Sequence, residues 1–408
     1  MKKIAFCFLL IPFLGQSQEK GVQFVHDLSW QQIKAKAKAE NKFIFMDCFT
    51  TWCGPCKFMS SSVFPLESVG SVVNAHFIAV EVQLDSTNQD NAEVKTWYAD
   101  AHAIAGKYRV EAYPTYLFFD PDGNLVHRNL GSSPPEVFIT MVTDALDPDK
   151  QYYRMLAKYQ AGERDSGFLR RFAYAALDAY DLENGQKGAE DYLNTGVNLY
   201  DRTSLQLIRA CTRSSRDKWF PVLYEQAQKV DSVLGPRTAE RVTQNIILRE
   251  EIYSRFPEQK TEQPDWSAIR TAVAAKYPRE APELVAKARV SYYLGKRDWP
   301  GVRSAVTGYL QACGSLADPS DLNSYAWAIF QNCDDMSCIS AALDWSKESF
   351  KDNRDPNFLD TYANLLYKLG KKDDAIAWEQ QAADLVPTGE KKSYLDTIDK
   401  MKSGQKTW

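Results

Sequence analysis

The chain has 408 residues, of which 44% are hydrophobic and 25% charged, and its formal net charge is −4 at pH 7. This length predicts two or more globular domains, each with enough apolar residues for a core. The sequence has no basic patch of the kind that binds nucleic acid, and after its first residues no stretch is apolar enough to span a membrane. We therefore expect neither nucleic acid as a partner nor a membrane span.

Residues 1–17 have the pattern of a secretory signal peptide. A basic start at residues 1–3 precedes an apolar run at 4–14, and small residues follow at 15–17. The apolar run is too short to cross a bilayer. We therefore expect cleavage after Ser17 and export, to the bacterial periplasm. Cleavage leaves seven of the eight cysteines, and an odd number in an oxidising compartment requires a free thiol or an intermolecular bond.

The following region, to about residue 147, alternates between helical and strand patterns. A capping box formed by Ser29 and Gln32 predicts a helix that ends at residue 40, and an apolar strand follows. Further along the chain the patterns predict a strand, a long helix and a hairpin. The predicted strands are 43–49, 77–84, 116–119 and 124–128, and the long helix is 92–105.

The pentapeptide Trp52-Cys53-Gly54-Pro55-Cys56 is the strongest chemical signal in the chain. Two thiols at this spacing can form a reversible disulfide, in which Cys53 attacks a substrate disulfide and Cys56 resolves the mixed disulfide. A helix that begins just after Cys53 directs free backbone N–H groups at its sulfur and favours the thiolate. Cys53 is therefore the predicted nucleophile.

The cysteine pair has two other interpretations besides redox chemistry. A structural zinc site needs a second pair at matching spacing, and the candidate pair Cys333 and Cys338 lies far away in sequence. A structural disulfide between Cys53 and Cys56 closes so short a loop that it would stabilise the fold little. We therefore expect a redox site with neither metal nor cofactor.

Three segments in the same order resemble the thioredoxin superfamily. They are residues 43–57 around the cysteine pair, residues 108–119 with a proline before a strand, and Gly131, where the family keeps a glycine. The resemblance covers residues 24 to 146. It implies an α/β thioredoxin-like fold, with a central mixed sheet flanked by helices, for a domain that spans residues 18–147.

The resemblance also implies which residues contact the substrate. Pro114 is expected to follow a cis peptide bond, which a proline adopts at small cost and which leaves the backbone of Tyr113 free to pair with an extended substrate. An ordinary turn proline before a strand is the alternative. Trp52, Gly54 and Pro55 are expected to form the substrate-binding surface around the two sulfurs.

Asp47 lies six residues before Cys53, where the resemblance implies a buried carboxyl group that relays a proton to the second cysteine. Burial among apolar residues would raise the pKa of Asp47 towards a value that suits a general base. A solvent-exposed aspartate at the strand end is the alternative. Glu81 occupies the position of a lysine in the family, and an approach of the two carboxyl groups would favour the neutral form of one.

From residue 150 to residue 408 the strand patterns end and helical periodicity continues. Residues 363–387 have small residues where two helices would touch, a glycine at the turn and a proline at the end, a pattern typical of a tetratricopeptide repeat. We expect an all-helical repeat domain that holds a peptide or protein segment, or that serves only as a scaffold. A lengthened turn contains Cys333 and Cys338, which we expect to form a local structural disulfide.

These features predict a periplasmic thiol–disulfide oxidoreductase that reduces or isomerises disulfides of exported, cysteine-containing proteins. The glycine and proline between the two cysteines resemble those of reducing members of the superfamily. Such an enzyme needs a redox partner to recharge its cysteine pair. The alternative is a helical-repeat adaptor whose thioredoxin-like domain binds partners without turnover, although such a module would not need both thiols.

Overall fold

The computed structural model describes residues 21–257, 263–314, 317–387 and 391–408. The predicted signal peptide lies outside the described residues. The chain divides into two compact units, Met1–Cys211 and Thr212–Trp408. Across the described ranges, none of the helices combines the length and apolar character needed to cross a lipid bilayer.

The first unit contains a four-stranded sheet and a series of helices. The strands are β1 (Phe43–Phe49), β2 (Phe77–Gln83), β3 (Thr115–Phe119) and β4 (Leu125–Leu130). The helices are α1 (Trp30–Glu40), α2 (Gly54–Phe58), α3 (Glu67–His76), α4 (Ala92–Tyr108), α5 (Pro135–Asp144), α6 (Tyr152–Gln160), α7 (Ser166–Asp178), α8 (Leu182–Leu193) and α9 (Arg202–Cys211). A π-helical turn, Met59–Val63, directly continues α2.

The sheet has the strand order β2, β1, β3, β4. Strand β1 is parallel to β2 and antiparallel to β3, and β4 is antiparallel to β3. Residues from α1 and α4 pack on one face, and residues from α3, α5 and the π-helical turn pack on the other. The predicted α/β fold, with a central mixed sheet flanked by helices, is confirmed.

Phe45 lies at the centre of an aromatic cluster on the sheet face that α3, α5 and the π-helical turn cover. This fully buried ring contacts the rings of Phe64, Tyr116, Phe118 and Phe138, with centroids 5.5 to 6.2 Å apart. Burial of such a side chain contributes about 3 to 5 kcal/mol relative to alanine. This apolar packing surrounds β1 and sets the dielectric environment of the polar residues on the same face.

Helices α6 and α7 pack on strand β4 within the first unit. The backbone N–H of Tyr152 donates a hydrogen bond to Nδ1 of the buried His127 at 3.1 Å. The side chain of Gln151 donates to the carbonyl oxygen of Ala145 at 2.9 Å, and the ring of Tyr152 stacks on Phe172. The helices that follow residue 150 therefore begin inside the same compact unit as the sheet.

All regular secondary structure in the described residues of the second unit is helical. Its helices are α10 (Phe220–Glu225), α11 (Ala227–Leu234), α12 (Thr238–Ile247), α13 (Trp266–Lys276), α14 (Ala281–Lys296), α15 (Trp299–Cys313), α16 (Pro319–Asn332), α17 (Met336–Ser349), α18 (Pro356–Lys368), α19 (Lys372–Leu385) and α20 (Lys391–Ser403). The predicted all-helical region is confirmed.

Consecutive helices of this unit pack in pairs, including α14 with α15, α16 with α17 and α18 with α19. In the last of these pairs Ala363, Ala375 and Ala382 are fully buried, at the small-residue positions that the sequence pattern identifies. The assignment of these helices to tetratricopeptide repeats stays a prediction.

The disulfide expected between Cys333 and Cys338 is not formed in the structure, where both cysteines are buried free thiols. Burial, and then the neighbouring Cys333, raises the pKa of Cys338 to about 11, so its thiol is protonated and unreactive. Lys368 holds the turn between α16 and α17 instead. Its ammonium group donates to the carbonyl oxygen of Phe330 at 2.7 Å and lies 3.3 Å from the carboxylate of Asp334.

His127 predicts a pH dependence of stability. Burial lowers its pKa from 6.5 to about 4, because the folded state favours the neutral ring that accepts the Tyr152 hydrogen bond. The stability it contributes is therefore complete above the unfolded pKa and is lost as the pH falls through about 4. Between pH 7 and pH 3, the free energy of unfolding should fall by roughly 3 kcal/mol more in the wild type than in His127→Gln.

Urea titrations of both proteins at pH 3, 5 and 7 measure this difference. The glutamine keeps an acceptor for the Tyr152 N–H but does not titrate. Parallel pH profiles for the two proteins would show that His127 carries no linked protonation.

Candidate active site

Cys53 and Cys56 form a disulfide at the N-terminus of α2, with an S–S distance of 2.02 Å. Helix α2 begins at Gly54, so Cys53 occupies the N-cap position. The backbone N–H of Cys56 donates to the sulfur of Cys53 at 3.1 Å. After reduction, this donor and the positive end of the helix dipole would stabilise a thiolate at Cys53. The geometry therefore suits Cys53 for nucleophilic attack.

The surface around the pair is exposed and apolar. Trp52 is 69% exposed and Phe58 46%, whereas Cys53 is only 3% exposed. Gly54 and Pro55 are also exposed, between the two cysteines. A partner that approaches Cys53 therefore has to contact these neighbours, and it would bury apolar surface when it does.

The segment before β3 lies beside this surface. The ring of Tyr113 packs edge-on against Trp52, with centroids 5.7 Å apart, and the Tyr113–Pro114 peptide bond is cis. The carbonyl oxygen of Pro114 accepts a hydrogen bond from the N–H of Gly131 at 2.9 Å. Gly131 has φ +92°, a conformation that favours glycine. The structure therefore brings Tyr113 and Pro114 to the cysteine pair, and their role in substrate binding stays a prediction.

Asp85 positions the loop before the cysteine pair, although the sequence pattern did not identify it as a site residue. Its carboxylate accepts hydrogen bonds from the backbone N–H of Thr51 at 3.0 Å and from the Thr51 hydroxyl at 2.5 Å. Asp85 lies just after the end of β2, so the contact joins the loop after β1 to the neighbouring strand. An aspartate directly after a buried strand was the available signal, but its partner is 34 residues away in sequence.

Asp47 is buried in the centre of the sheet, on the same face as Phe45. It is 1% exposed, and its Oδ1 atom has no hydrogen-bond partner within the described residues. Burial raises the pKa of Asp47 well above its ordinary value, and the neighbouring Glu81 raises it further. The carboxyl group therefore takes a proton more readily than an exposed aspartate does. The alternative prediction, a solvent-exposed aspartate at the strand end, is wrong.

Asp47 belongs to a row of polar residues that crosses the whole sheet. Glu81 on β2 is in register with Asp47 on β1, Asp47 is in register with Tyr116 on β3, and Tyr116 with Asn129 on β4. Residues opposite one another in a sheet project from the same face. The Tyr116 hydroxyl and the Asn129 side-chain oxygen are buried and also have no partner among the described residues. Asp47 thus has polar neighbours on both sides.

Glu81 connects this row to the edge of the sheet. It lines a cavity of about 190 Å³ together with His26 and Glu93, which lie 3.4 Å apart. Burial raises the pKa of Glu81, and the nearby His26 opposes this effect. Asp47 and Glu81, which occupy matching strand positions, are therefore neighbours. A state in which one of the two carboxyl groups carries a proton is more favourable than a state in which both are ionised.

The remaining titratable groups near the pair do not form a second reactive site. Cys48 points to the opposite face of the sheet, where it is fully buried among apolar residues, and burial raises the pKa of its thiol. In the part of the chain that the structure describes, no group of three or more histidine, cysteine, aspartate or glutamate side chains is placed to hold a metal ion.

Comparison with known proteins gives matches to the first unit. Residues 30–146 match the family model of the thioredoxin-like domain. Thioredoxin-2 of Pyricularia oryzae is 30% identical over 113 residues, which are 28% of this chain and 55% of that protein. This chain therefore spans about half the length of that relative. Thioredoxin Asp f 29 of Aspergillus fumigatus is 29% identical over 102 residues, which are 25% of this chain and 77% of that protein.

A solved structure is also similar to the first unit. A candidate disulphide-isomerase from Bacteroides thetaiotaomicron is 31% identical in sequence, and the match covers 32% of this chain and 98% of that one, with a TM-score of 0.27.

Asp47→Asn tests the proton-relay role of Asp47. The variant should slow release of the mixed disulfide by about 10²-fold, because an amide neither accepts nor returns the proton of the resolving thiol. The first attack by Cys53 should stay nearly unchanged. Stopped-flow measurement of the two steps separates them, with the exposed Asp122→Asn as control. Equal slowing of both steps would contradict the role.

The same variant should also unfold less easily at alkaline pH. A carboxyl group whose folded pKa is raised contributes stability that is complete below its unfolded pKa and is lost as the pH rises through its folded pKa. Asparagine removes this loss. The stabilisation of Asp47→Asn relative to wild type should therefore grow from pH 5 to pH 9 in urea titrations.

Glu81→Lys tests the coupling between the two carboxyl groups. A cation in place of a carboxylate beside Asp47 should lower the pKa of Asp47, and Glu81→Gln should lower it by less. The midpoint of the pH profile for the resolving step should therefore move to lower pH in the order wild type, Gln, Lys. Identical profiles for the three proteins would show that Glu81 does not influence Asp47.

Proposed function

Because residues 30–146 belong to the thioredoxin-like family, we propose that this protein is a thiol–disulfide oxidoreductase that acts on disulfides of other proteins. The observation that carries the proposal is the Cys53–Cys56 disulfide at the start of α2, beside an exposed apolar surface. A cysteine pair that can open and close at a surface is the requirement for this chemistry.

The reaction proceeds in two exchanges. The Cys53 thiolate attacks one sulfur of the substrate disulfide, forms a mixed disulfide and releases the other substrate sulfur as a thiolate. The Cys56 thiolate then attacks the Cys53 sulfur, which restores the Cys53–Cys56 disulfide and releases the second substrate thiolate. The substrate gains two electrons and the protein loses two. A reducing dithiol partner has to return them before the next cycle.

Residues around the pair have separate roles in this scheme. Asp47 takes the proton from Cys56 as it becomes a nucleophile, and its raised pKa supports this role. The exposed Trp52 and the backbone next to Pro114 hold an extended segment of the substrate. Gly54 and Pro55 form the exposed surface between the two buried sulfurs that the substrate contacts.

The substrates in this proposal are exported proteins that contain cysteine, and the compartment is the bacterial periplasm. The signal-peptide pattern of residues 1–17 supports export. Reduction or isomerisation is the proposed direction, because the Gly-Pro pair resembles that of reducing members of the superfamily. The helical second unit is proposed to hold a peptide or protein segment of the substrate.

A disulfide-trapping experiment tests the proposal. Cys56→Ser, expressed with its signal in a bacterial host, should accumulate mixed disulfides through Cys53, because the resolving thiol is absent. Cys48→Ser is the matched control, since it removes a buried thiol away from the site and should trap nothing. The purified wild type should reduce insulin, and Cys53→Ala should not. Wild-type activity no greater than that of Cys53→Ala would favour the adaptor alternative.

Truncation after Cys211 then tests the role of the helical unit. This boundary keeps α6 to α9, which belong to the first compact unit. If the second unit selects substrates, the set of proteins trapped by Cys56→Ser should shrink to a background after truncation, while reduction of small disulfides continues. An unchanged set would make the second unit a scaffold.

A further inference from the structure

The second unit contains a cavity of about 270 Å³ between helices α13, α14 and α15. Small residues of α15 create its space. Ala305, Gly308 and Ala312 follow one another at helical spacing and line the cavity together. A Cβ atom built on Gly308 would meet nothing within 4 Å. The space is therefore a consequence of short side chains on one face of a helix.

The polar groups in this cavity are hydrogen-bond donors. Trp266 and Arg270, one helical turn apart on α13, line it from one side, and Arg289 on α14 from another. The Nε1 atom of Trp266 and the Nε atom of Arg289 are buried and have no hydrogen-bond partner among the described residues. Ser267 adds a hydroxyl group. A buried donor without an acceptor is unfavourable, so the site has unsatisfied capacity for an acceptor.

The acidic residues nearest in sequence are engaged elsewhere and do not line the cavity. Asp265 caps α13 by accepting hydrogen bonds from the backbone N–H groups of Ser267 and Ala268. Glu283 on α14 pairs with Lys287 at 2.8 Å. The guanidinium group of Arg289 lies 5.9 Å from the ring centroid of Trp266, which holds it beside the cavity. Two positive charges thus face a space whose lining includes no carboxylate.

We propose that this cavity binds the carboxylate of a small organic acid. A guanidinium group presents parallel N–H donors that match the two oxygens of a carboxylate. The indole N–H of Trp266 would donate a further hydrogen bond to the same carboxylate. The apolar wall formed by α15 would cover the hydrocarbon part of the acid. The proposal does not depend on the proposed redox function, because none of its residues belongs to the cysteine site.

Calorimetric titration of the full chain without its predicted signal peptide tests the site with sodium benzoate. One benzoate should bind per chain, and the neutral isostere benzamide should not bind, because it lacks the charge that the two arginines recognise. Arg289→Gln should weaken benzoate binding about tenfold or more. Arg279→Gln is the matched control, since that side chain is 80% exposed and lies outside the lining, and it should leave the affinity unchanged.

Two further measurements locate the binding. The indole N–H resonance of Trp266, assigned with Trp266→Phe, should shift on addition of benzoate. Gly308→Leu should abolish binding with both arginines in place, because the new side chain fills the cavity. Absence of benzoate binding, equal affinity for benzamide, or full affinity in Arg289→Gln would overturn the proposal. Tighter binding of inorganic phosphate than of benzoate would also contradict it, since phosphate gains nothing from the apolar wall.

Discussion

Strand β1 lies between a parallel and an antiparallel neighbour, and its hydrogen bonds to both determine where the reactive groups lie. The strand leads directly to the loop that ends at Cys53, and Asp85 ties this loop to the neighbouring strand. The same register brings Glu81 and Tyr116 to either side of Asp47. A shift of one residue would turn Asp47 to the other face of the sheet.

The face that carries Asp47 combines two opposing requirements. Its aromatic residues stabilise the sheet by burial, whereas Asp47, Tyr116 and Asn129 each have a buried side-chain oxygen without a hydrogen-bond partner in the described part of the chain. Burial raises the pKa of Asp47, because a neutral carboxyl group is less unfavourable there than a charged one, and the conflict is smaller whenever Asp47 carries a proton. The chemistry of the site and a local loss of stability therefore have the same physical origin.

Local features of the site could be predicted from the sequence, and distant ones could not. The apolar run at 43–49 and the start of α2 after Cys53 depend on neighbouring residues, and the structure has both of them. The cis bond before Pro114, which the family resemblance implies, is also present. The helix predicted at 92–105 extends to Tyr108, because propensity marks helix ends poorly.

The features that the sequence did not predict depend on contacts between segments far apart in the chain. The alignment of Tyr116 with Asn129 follows from strand register, and the contact between His127 and Tyr152 follows from packing of α6 on β4. The turn that holds Cys333 shows the same limit. Its spacing suggested a disulfide, but Lys368, more than 30 residues away, supplies the tie by an ionic contact.

The attachment of α6 and α7 to the sheet has an evolutionary consequence. Gene fusion joins domains most easily where few contacts cross the boundary, and the boundary between these compact units is at Cys211. A recombination event near residue 150 would separate His127 from Tyr152, whose backbone N–H donates a hydrogen bond to the histidine ring. The segment to Cys211 is therefore the module that could be exchanged between proteins intact, and a recombinant joined between His127 and Tyr152 would lack this native hydrogen bond.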